Sequence, residues 1–365
     1  MSLSSDLLPG VPIIESPLFD ASLNDMGLTE TERAVAVSLK CDGYAVFDFP
    51  DPAINARCDR IKTNLAPRYN VDFADPAAIK TTGGNRIQDA WAFDEDVKAL
   101  ADNPAILELL SKLYGRRAFP FQTLNFPVGT QQHPHTDSVH FSSQPERFMC
   151  GVWVALEDIA AEAGPLLYYR GSHRWPVLNN AMIGRRGWGA DRESAQAPFE
   201  AVWRAQVDAH HLKPTTFLAR KGQALIWAAN LLHGGSLQTD PTRTRWSQVT
   251  HYYFADCIYY TPAFSDEALG RFDLRTITNI ATGAVEPCRL MGEEVGASAG
   301  LPPRPPLWHR LLARWNRPGG SEGLPTDFDP EIYYRLNPDV PAGHIDAATH
   351  YVRHGKAEGR RYRTD

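Results

Sequence analysis

The sequence predicts a mainly β fold with a helical layer: an antiparallel barrel or double-sheet jelly roll, N-terminal helices packed on it, and a small helical module at the C-terminus. Three observations carry this prediction. Two capped helix patterns precede residue 116, short β-rich runs fill about residues 116–260, and short helical patterns return over residues 328–365. Short strands separated by Gly, Pro and polar turns are typical of closed or double-sheet β architectures.

Two helix patterns form the N-terminal layer. The first begins with the capping box of Thr29 and Glu32, and Gly43 supplies the left-handed residue that ends it. Residues 44–49 then alternate as a strand does. The second helix is predicted in "DNPAILELLSKLYG", where Asn103 is the cap and a proline occupies the first turn.

The β region contains one long insertion. Its strands are predicted in the runs "FPFQTLNF", "FMCGVWVALED", "PLLYYRGSH", "TTFLARKGQALIWAA" and "SQVTHYYFAD". Residues 178–213 separate the third run from the fourth and carry one predicted helix around Pro198 to Val207. An insertion of this length in a compact β domain usually belongs to a lid or to a binding wall.

The chain is predicted to divide into three parts. These are a domain of residues 1–295, a Pro- and Gly-rich linker of residues 296–327, and an accessory module of residues 328–365. The linker encloses one short basic helix, from Trp308 to Trp315, which we expect to pack its Trp and Leu face against its own protein.

Composition excludes several classes of protein. With 43% hydrophobic and 22% charged residues, the chain is expected to be a soluble globular protein, and its net charge of -6 argues against a nucleic-acid partner. No stretch approaches the ~20 apolar residues of a membrane span. Five scattered cysteines without a CxxC pair argue against a disulfide framework and fit the cytoplasm.

Three histidines and one aspartate crowd into "QQHPHTDSVHF". Residues two apart in a strand point to the same side, so His135 and Asp137 present an imidazole and a carboxylate to one point. His133 has the same parity and is the rival ligand, but Pro134 favours a strand end and places His133 where the strand frays. A third ligand must come from elsewhere. The best candidate is His233 in "IWAANLLHGGSLQTD", after an apolar strand and before a Gly-Gly turn.

Two histidines and one carboxylate leave open positions on an ion, which suits Fe(II) in an oxygenase that also binds a cosubstrate and O2. If the cosubstrate is 2-oxoglutarate, its distal carboxylate needs a fixed cation, and the planar fork of arginine binds a carboxylate through two donors. In "TRTRWSQVTHYYF", Arg245 and Ser247 share a strand face with Val249 and His251, whereas Arg243 lies in the preceding turn. We therefore predict that Arg245, with Ser247, anchors 2-oxoglutarate.

Other histidines near these motifs are expected to support the site rather than bind a metal. His173 is predicted to brace the loop around the site through its ring, and His140 and His251 to be structural. His210 and His211, in the insertion, are expected at the surface. Several aromatic and basic side chains could line a substrate wall, although the aromatics could equally be core and the arginines surface: Tyr168, Tyr169, Trp227, Arg185, Arg186 and Arg192.

These motifs resemble those of the phytanoyl-CoA dioxygenase family of Fe(II)/2-oxoglutarate oxygenases. The resemblance is carried by "HTD" (135–137), "VWVALEDIAAEAGPLLYYRGSHRWP" (152–176) and "HGGSLQTDPTRTRWSQVTHYY" (233–253), and it extends over roughly residues 30–265. It implies a double-stranded β-helix (a cupin-like jelly roll) with an N-terminal helical layer.

The resemblance also implies site residues and a reaction. Carried over to this sequence, His135, Asp137 and His233 bind iron, Arg245 anchors 2-oxoglutarate, and Ser247 and Asn125 are further cosubstrate contacts. The implied reaction couples oxidation of 2-oxoglutarate by O2 to hydroxylation of an unactivated C–H bond, with release of succinate and CO2. Three features depart from the family: a longer turn after His233, no lysine before the HxD strand, and Arg170 in place of a common proline.

The substrate is expected to be a small molecule. Residues 328–365 resemble segments appended to bacterial glycosyltransferases and polysaccharide-synthesis proteins, which associates the chain with a saccharide or glycan precursor. The alternatives are a cupin-type site using His133 and His135, which would need a Glu that "TDSVHF" lacks, and a hydrolytic zinc site, which gives no reason for an inward Arg245. A non-catalytic jelly-roll protein that binds a glycan is the third alternative, and the intact ligand set argues against it.

Overall fold

The computed structural model describes residues 7–69, 71–73, 75, 85–190, 194–295, 324–325, 327–337 and 347–363. The chain divides into two compact units, Met1–Pro302 and Pro303–Asp365. Residues 296–323 of the predicted linker, with its short helix, lie outside the described residues. The domain boundaries given above stay predictions.

Both helices predicted for the N-terminal layer are present. Glu32 N–H donates to Thr29 Oγ1 (3.3 Å), Thr29 N–H donates to Glu32 Oε2 (2.8 Å), and Gly43 ends the helix at φ 85°. Asn103 caps the second predicted helix by accepting from two backbone N–H groups. The helices of the first unit are α1 (Phe19–Ser22), α2 (Glu30–Asp42), α3 (Ile54–Leu65), α4 (Glu95–Ala101), α5 (Pro104–Tyr114) and α6 (Ala197–Ala209).

The strands confirm a mainly β domain with antiparallel sheets. They are β1 (Tyr44–Asp48), β2 (Ile87–Gln88), β3 (Ala118–Phe126), β4 (Ser142–Gln144), β5 (Met149–Ala155), β6 (Leu166–Tyr168), β7 (Thr215–Phe217), β8 (Gln223–Ala228), β9 (His233–Gly235), β10 (Ser247–Phe254), β11 (Ile258–Tyr260), β12 (Ile277–Thr278), β13 (Val285–Glu286), β14 (Arg289–Leu290) and β15 (Glu293–Glu294). The main sheet has the order β1-β8-β5-β10-β3-β2, and a smaller sheet has the order β7-β6-β9. The pairs β4-β11, β12-β13 and β14-β15 are separate two-stranded ribbons.

The central strands of the main sheet are buried on both faces. On β5 and β8, Val152, Val154 and Ile226 join one hydrophobic cluster with residues of α2, α3 and α5. Their neighbours Trp153 and Leu225 belong to a second cluster that includes residues of the smaller sheet. Alternate side chains of a strand point to opposite faces, so one face of the main sheet packs on helices and the other faces the smaller sheet.

The insertion contains the predicted helix, which is α6. Phe199 and Trp203 of this helix are buried in a third cluster with Tyr169, Leu178 and Leu232. Within the described part of the chain, no helix is both long enough and apolar enough to cross a membrane.

The second unit is small and rich in tyrosine. Its described helices are α7 (Pro330–Leu336), capped by Asp329, and α8 (Ala347–His350), which continues into a wider turn. Tyr333 is fully buried, packs against Phe328 and Tyr351, and shares a hydrogen bond of 3.0 Å between its hydroxyl and His350 Nδ1.

Candidate active site

His135, Asp137 and His233 converge on one point between the two sheets. The backbones of His135 and His233 pair reciprocally, with N–H···O distances of 2.8 and 3.0 Å, so strand pairing itself brings the two histidines together. Asp137 Oδ1 lies 3.8 Å from Nε2 of His135 and 3.9 Å from Nε2 of His233. All three residues are buried, and one ligand atom from each lies within 4.8 Å of the others, so the set could hold a metal ion.

The two imidazoles are oriented for metal binding by backbone carbonyls. His135 Nδ1–H donates to the carbonyl of His133 and His233 Nδ1–H to that of Leu231, both at 2.9 Å. A carbonyl can only accept, so each ring carries a proton on Nδ1 and turns its Nε2 towards the point that it shares with Asp137 Oδ1. Burial, followed by the charge of His233, lowers the pKa of His135 to about 3, so this ring is neutral at pH 7.

Asp137 is a buried carboxylate that stays ionised. Burial raises its pKa, but His233, His251, His135 and the indole N–H of Trp227 together outweigh that effect and hold the pKa at about 2. Trp227 Nε1–H donates to Asp137 Oδ2 at 2.7 Å. Two imidazoles and one carboxylate are the donor set that non-haem Fe(II) prefers, so the residues fit the predicted ion.

The other histidines of the motif do not join this cluster. The side chain of His133 is exposed and only its backbone carbonyl takes part, so the structure does not support the HxH alternative. His140 lines the same cavity, with its ring centroid 5.9 Å from that of His135. His251 also lines it, with Nδ1 2.9 Å from Gln122 Oε1.

Arg245 lies in the same cavity, which has a volume of about 310 Å³. It is 2% exposed, and it forms no ion pair with any residue that the structure describes. Its Nε and the hydroxyl of Ser247 are buried without a hydrogen-bond partner. Burial lowers the pKa of Arg245 to about 10. Arg243, in contrast, is an exposed turn residue paired with Asp240 at 3.3 Å.

The predicted cosubstrate contact at Asn125 is not supported by the structure. Gln122, Leu124 and Phe126 of β3 line the cavity, so Asn125 points to the opposite face. There its Nδ2 donates to Gln248 Oε1 at 3.3 Å. The strand is buried on both faces, and its composition therefore does not reveal which face is inward.

The residues considered for a substrate wall separate into two groups. Trp227 lines the cavity, whereas Tyr168 and Tyr169 pack in hydrophobic clusters. Arg185 donates to Asn180 and Arg186 pairs with Asp266, and neither lines the cavity. Arg192 lies outside the described residues.

A hydrogen-bond network that the sequence analysis does not identify supports the segment leading to His233. Asn230 is 3% exposed, accepts from Ser138 Oγ at 2.8 Å and donates to the carbonyl of Trp175 at 2.7 Å. Ser172 Oγ accepts from Leu232 N–H at 2.9 Å. His173 contributes its backbone carbonyl here, while its ring lies 3.2 Å from the carbonyl of Lys40. Residues 172–175 therefore brace the turn before His233, but His173 takes part through its backbone carbonyl and not, as had been predicted, through its ring.

The fold and the site together define a mainly β enzyme of the non-haem metal type. The sequence profile of the phytanoyl-CoA dioxygenase family (PhyH) matches residues 39–244, which is more than half of the chain. The chain therefore belongs to the phytanoyl-CoA dioxygenase family, and the resemblance drawn from its motifs is confirmed. No curated protein matches the chain in sequence.

Solved structures similar to this chain include two proteins from nogalamycin biosynthesis and one from S. alaskensis. The carbocyclase SnoK from nogalamycin biosynthesis is 17% identical, with 64% of this chain and 87% of that chain covered and a TM-score of 0.48. The epimerase SnoN from nogalamycin biosynthesis is 21% identical, with coverages of 73% and 96% and a TM-score of 0.48. EctD from S. alaskensis with 2-oxoglutarate and 5-hydroxyectoine is 20% identical, with coverages of 67% and 82% and a TM-score of 0.47. At this similarity they do not identify a reaction or a substrate for this chain.

Proposed function

We propose that the chain is an Fe(II)/2-oxoglutarate-dependent dioxygenase that hydroxylates an unactivated C–H bond of a small molecule. The observation that carries the proposal is the buried, unpaired Arg245 in the cavity of the His135, Asp137 and His233 cluster. A guanidinium that is removed from water without a carboxylate is costly, and a dicarboxylate bound at the metal would supply the missing partner. We also propose that the main and smaller sheets are the two halves of a double-stranded β-helix.

The residues of the chain have separate tasks in this function. His135, Asp137 and His233 would hold the iron, which when bound supplies the activation of O2 that is coupled to conversion of 2-oxoglutarate into succinate and CO2. Arg245 would bind the distal carboxylate of 2-oxoglutarate, and the Ser247 hydroxyl would donate to the same group.

Part of the cavity wall is apolar. Leu124, Phe126, Trp153, Leu166 and Val249 line the cavity, and the guanidinium lies 5.9 Å from the ring of Trp153. In such surroundings a charge pair is much stronger than in water. The wall therefore favours a bound carboxylate and excludes bulk water, which leaves the cosubstrate held in one orientation.

Another part of the wall is polar. It includes the amides of Gln88, Gln122 and Gln132 and the imidazole of His140. Convergent amides suit a substrate rich in hydroxyl groups, and a cavity of about 310 Å³ lies at the small end of ligand pockets. These features support a small polar molecule and agree with the saccharide association of residues 328–365.

The proposal is tested in two stages. Anaerobic addition of Fe(II) and then 2-oxoglutarate should produce a visible charge-transfer band in the wild type and none in Asp137→Ala. Succinate release should then be measured over a library of sugars, acyl-CoAs, amino acids and osmolytes. Absence of the band, or a band that survives in Asp137→Ala, would contradict the oxygenase; stimulation by acyl-CoAs alone would contradict the polar substrate.

A further inference from the structure

Three residues form a row across the face of the main sheet that lines the cavity. His251 of β10 is in register with Gly151 of β5, and Gly151 is in register with Trp227 of β8. A Cβ atom on Gly151 would lie 2.1 to 2.4 Å from the six-membered ring of Trp227. Because glycine has no Cβ atom, Gly151 leaves free the space that the indole of Trp227 occupies.

This placement brings the indole to Oδ2 of Asp137, which is the carboxylate oxygen that does not face His135 and His233. Trp227 Nε1–H donates to Oδ2 at 2.7 Å, and no other described residue donates a hydrogen bond to this carboxylate. His251 Nε2 lies 3.7 Å from the same oxygen. The other oxygen, Oδ1, is the one that faces the Nε2 atoms of His135 and His233.

We propose that Trp227 is a positioning residue that holds Asp137 as a one-oxygen metal ligand, and that Gly151 provides the clearance for it. The inference rests on the function proposed above. A carboxylate free to rotate can offer both oxygens to an ion and so occupy a position needed by the cosubstrate or O2. A short hydrogen bond to an ionised oxygen in a buried site opposes this rotation.

The test uses Co(II) as the probe with the full-length apoprotein. Trp227→Phe should weaken Co(II) binding roughly 10- to 100-fold, which is the usual effect of losing a hydrogen-bond partner of a metal ligand. The ligand-field absorption bands of Co(II) bound to Trp227→Phe should also be weaker than those of the wild type, because the intensity of these bands falls as the coordination number of the ion rises. The matched control is Trp203→Phe, because Trp203 is also buried and its indole N–H has no hydrogen-bond partner among the residues that the structure describes. This control should bind Co(II) as the wild type does.

Gly151→Ala distinguishes an effect on the indole from general damage to the sheet. The alanine should weaken Co(II) binding in the wild-type background but cause no further loss in the Trp227→Phe background, since phenylalanine lacks the ring atoms that the methyl group would meet. Wild-type affinity in Trp227→Phe, or an equal effect of Gly151→Ala in both backgrounds, would overturn the positioning role alone. Wild-type Co(II) binding that does not depend on Asp137 would overturn the proposed function and, with it, this inference.

Discussion

Replacement of Arg245 by methionine should affect folding and cosubstrate binding in opposite directions. Methionine keeps much of the length of the side chain and removes the charge. In the apoprotein the guanidinium is 2% exposed and unpaired among the described residues, so its charge opposes folding. When 2-oxoglutarate binds, the same charge becomes the anchor of the distal carboxylate.

The size of both effects follows from the burial of Arg245. Burial lowers its pKa well below the ordinary value of an arginine, to about 10, so at any pH below about 10 the charged form disfavours the folded state. At about 1.4 kcal/mol for each pKa unit, the cost is on the order of 3 kcal/mol. Removing one partner of a buried, hydrogen-bonded charge pair costs roughly 2–5 kcal/mol of binding. This corresponds to a rise in the Kd for 2-oxoglutarate of roughly 30-fold to several thousand-fold.

Urea unfolding of the metal-free protein and titration of the Fe(II)-loaded protein with 2-oxoglutarate measure the two effects. Arg245→Met should unfold at a higher urea concentration than the wild type and bind 2-oxoglutarate far more weakly. Arg243→Met is the matched control, because Arg243 is exposed and paired with Asp240. Equal 2-oxoglutarate affinities in the two variants would refute the assignment of the anchor, and a destabilised Arg245→Met apoprotein would refute the argument from burial.

Three further predictions test the surroundings of the site. His135→Ala should abolish Co(II) binding whereas His133→Ala should change its Kd less than about twofold, because His133 offers only a backbone carbonyl; equal losses would restore the HxH alternative. Asn230→Ala should lower the free energy of unfolding by about 2–3 kcal/mol, since it leaves buried groups unpaired, whereas the half-buried Asn179→Ala, which loses one exposed hydrogen bond from Met182 N–H, should lower it by less than about 1 kcal/mol; similar urea midpoints would contradict the bracing role. Burial lowers the pKa of His173 from 6.5 to about 4, so the stability linked to this ring is complete above pH 6.5 and is lost, by on the order of 3 kcal/mol, as the pH falls towards 4. His173→Gln should flatten the pH dependence of stability in this window, and an unchanged slope would show that the ring is not responsible.

The cluster of His135, Asp137 and His233 and the inward position of Arg245 were predictable because each depends on a local pattern. The predicted strand is not formed at these two residues, since His135 makes an isolated bridge and a 3-10 turn begins at Asp137. The backbone of Thr136 between them is extended, so the one-residue spacing still brings both side chains to one point. The parity of Arg245, Ser247 and Val249 follows from the same rule. Helix α2 is equally local, since its capping box and terminal glycine lie within the segment.

The site residues that were assigned wrongly or missed lie mostly on strands that are buried on both faces, where the sequence does not distinguish one face from the other. Asn125 and Trp227 belong to strands that are buried on both faces, so the sequence does not show which side chains face the cavity. Gly151 could have indicated that another group packs closely against β5, because an isolated glycine inside a strand often marks such a close approach. Helix α3 has no side-chain cap at Ala53, which explains why its start lacks a sequence signature. The contacts of Asn230 join segments distant in the sequence and depend on the tertiary structure.

The geometry of the inner face is secured from the outer face of the same strand. Residues of β10 that alternate with Arg245 and Ser247 point to the helical layer, where Gln248 Nε2 donates to the carbonyl of Val97 at 3.0 Å and Tyr252 donates to that of Ala101 at 2.9 Å. Both acceptors belong to α4. If β10 slipped by one residue, its two faces would be exchanged. The polar groups of Gln248 and Tyr252 would then meet apolar residues, and Arg245 would point away from the cavity. The hydrogen bonds to α4 therefore fix the register of β10, and that register keeps the Arg245 guanidinium in the cavity that holds the His135, Asp137 and His233 cluster.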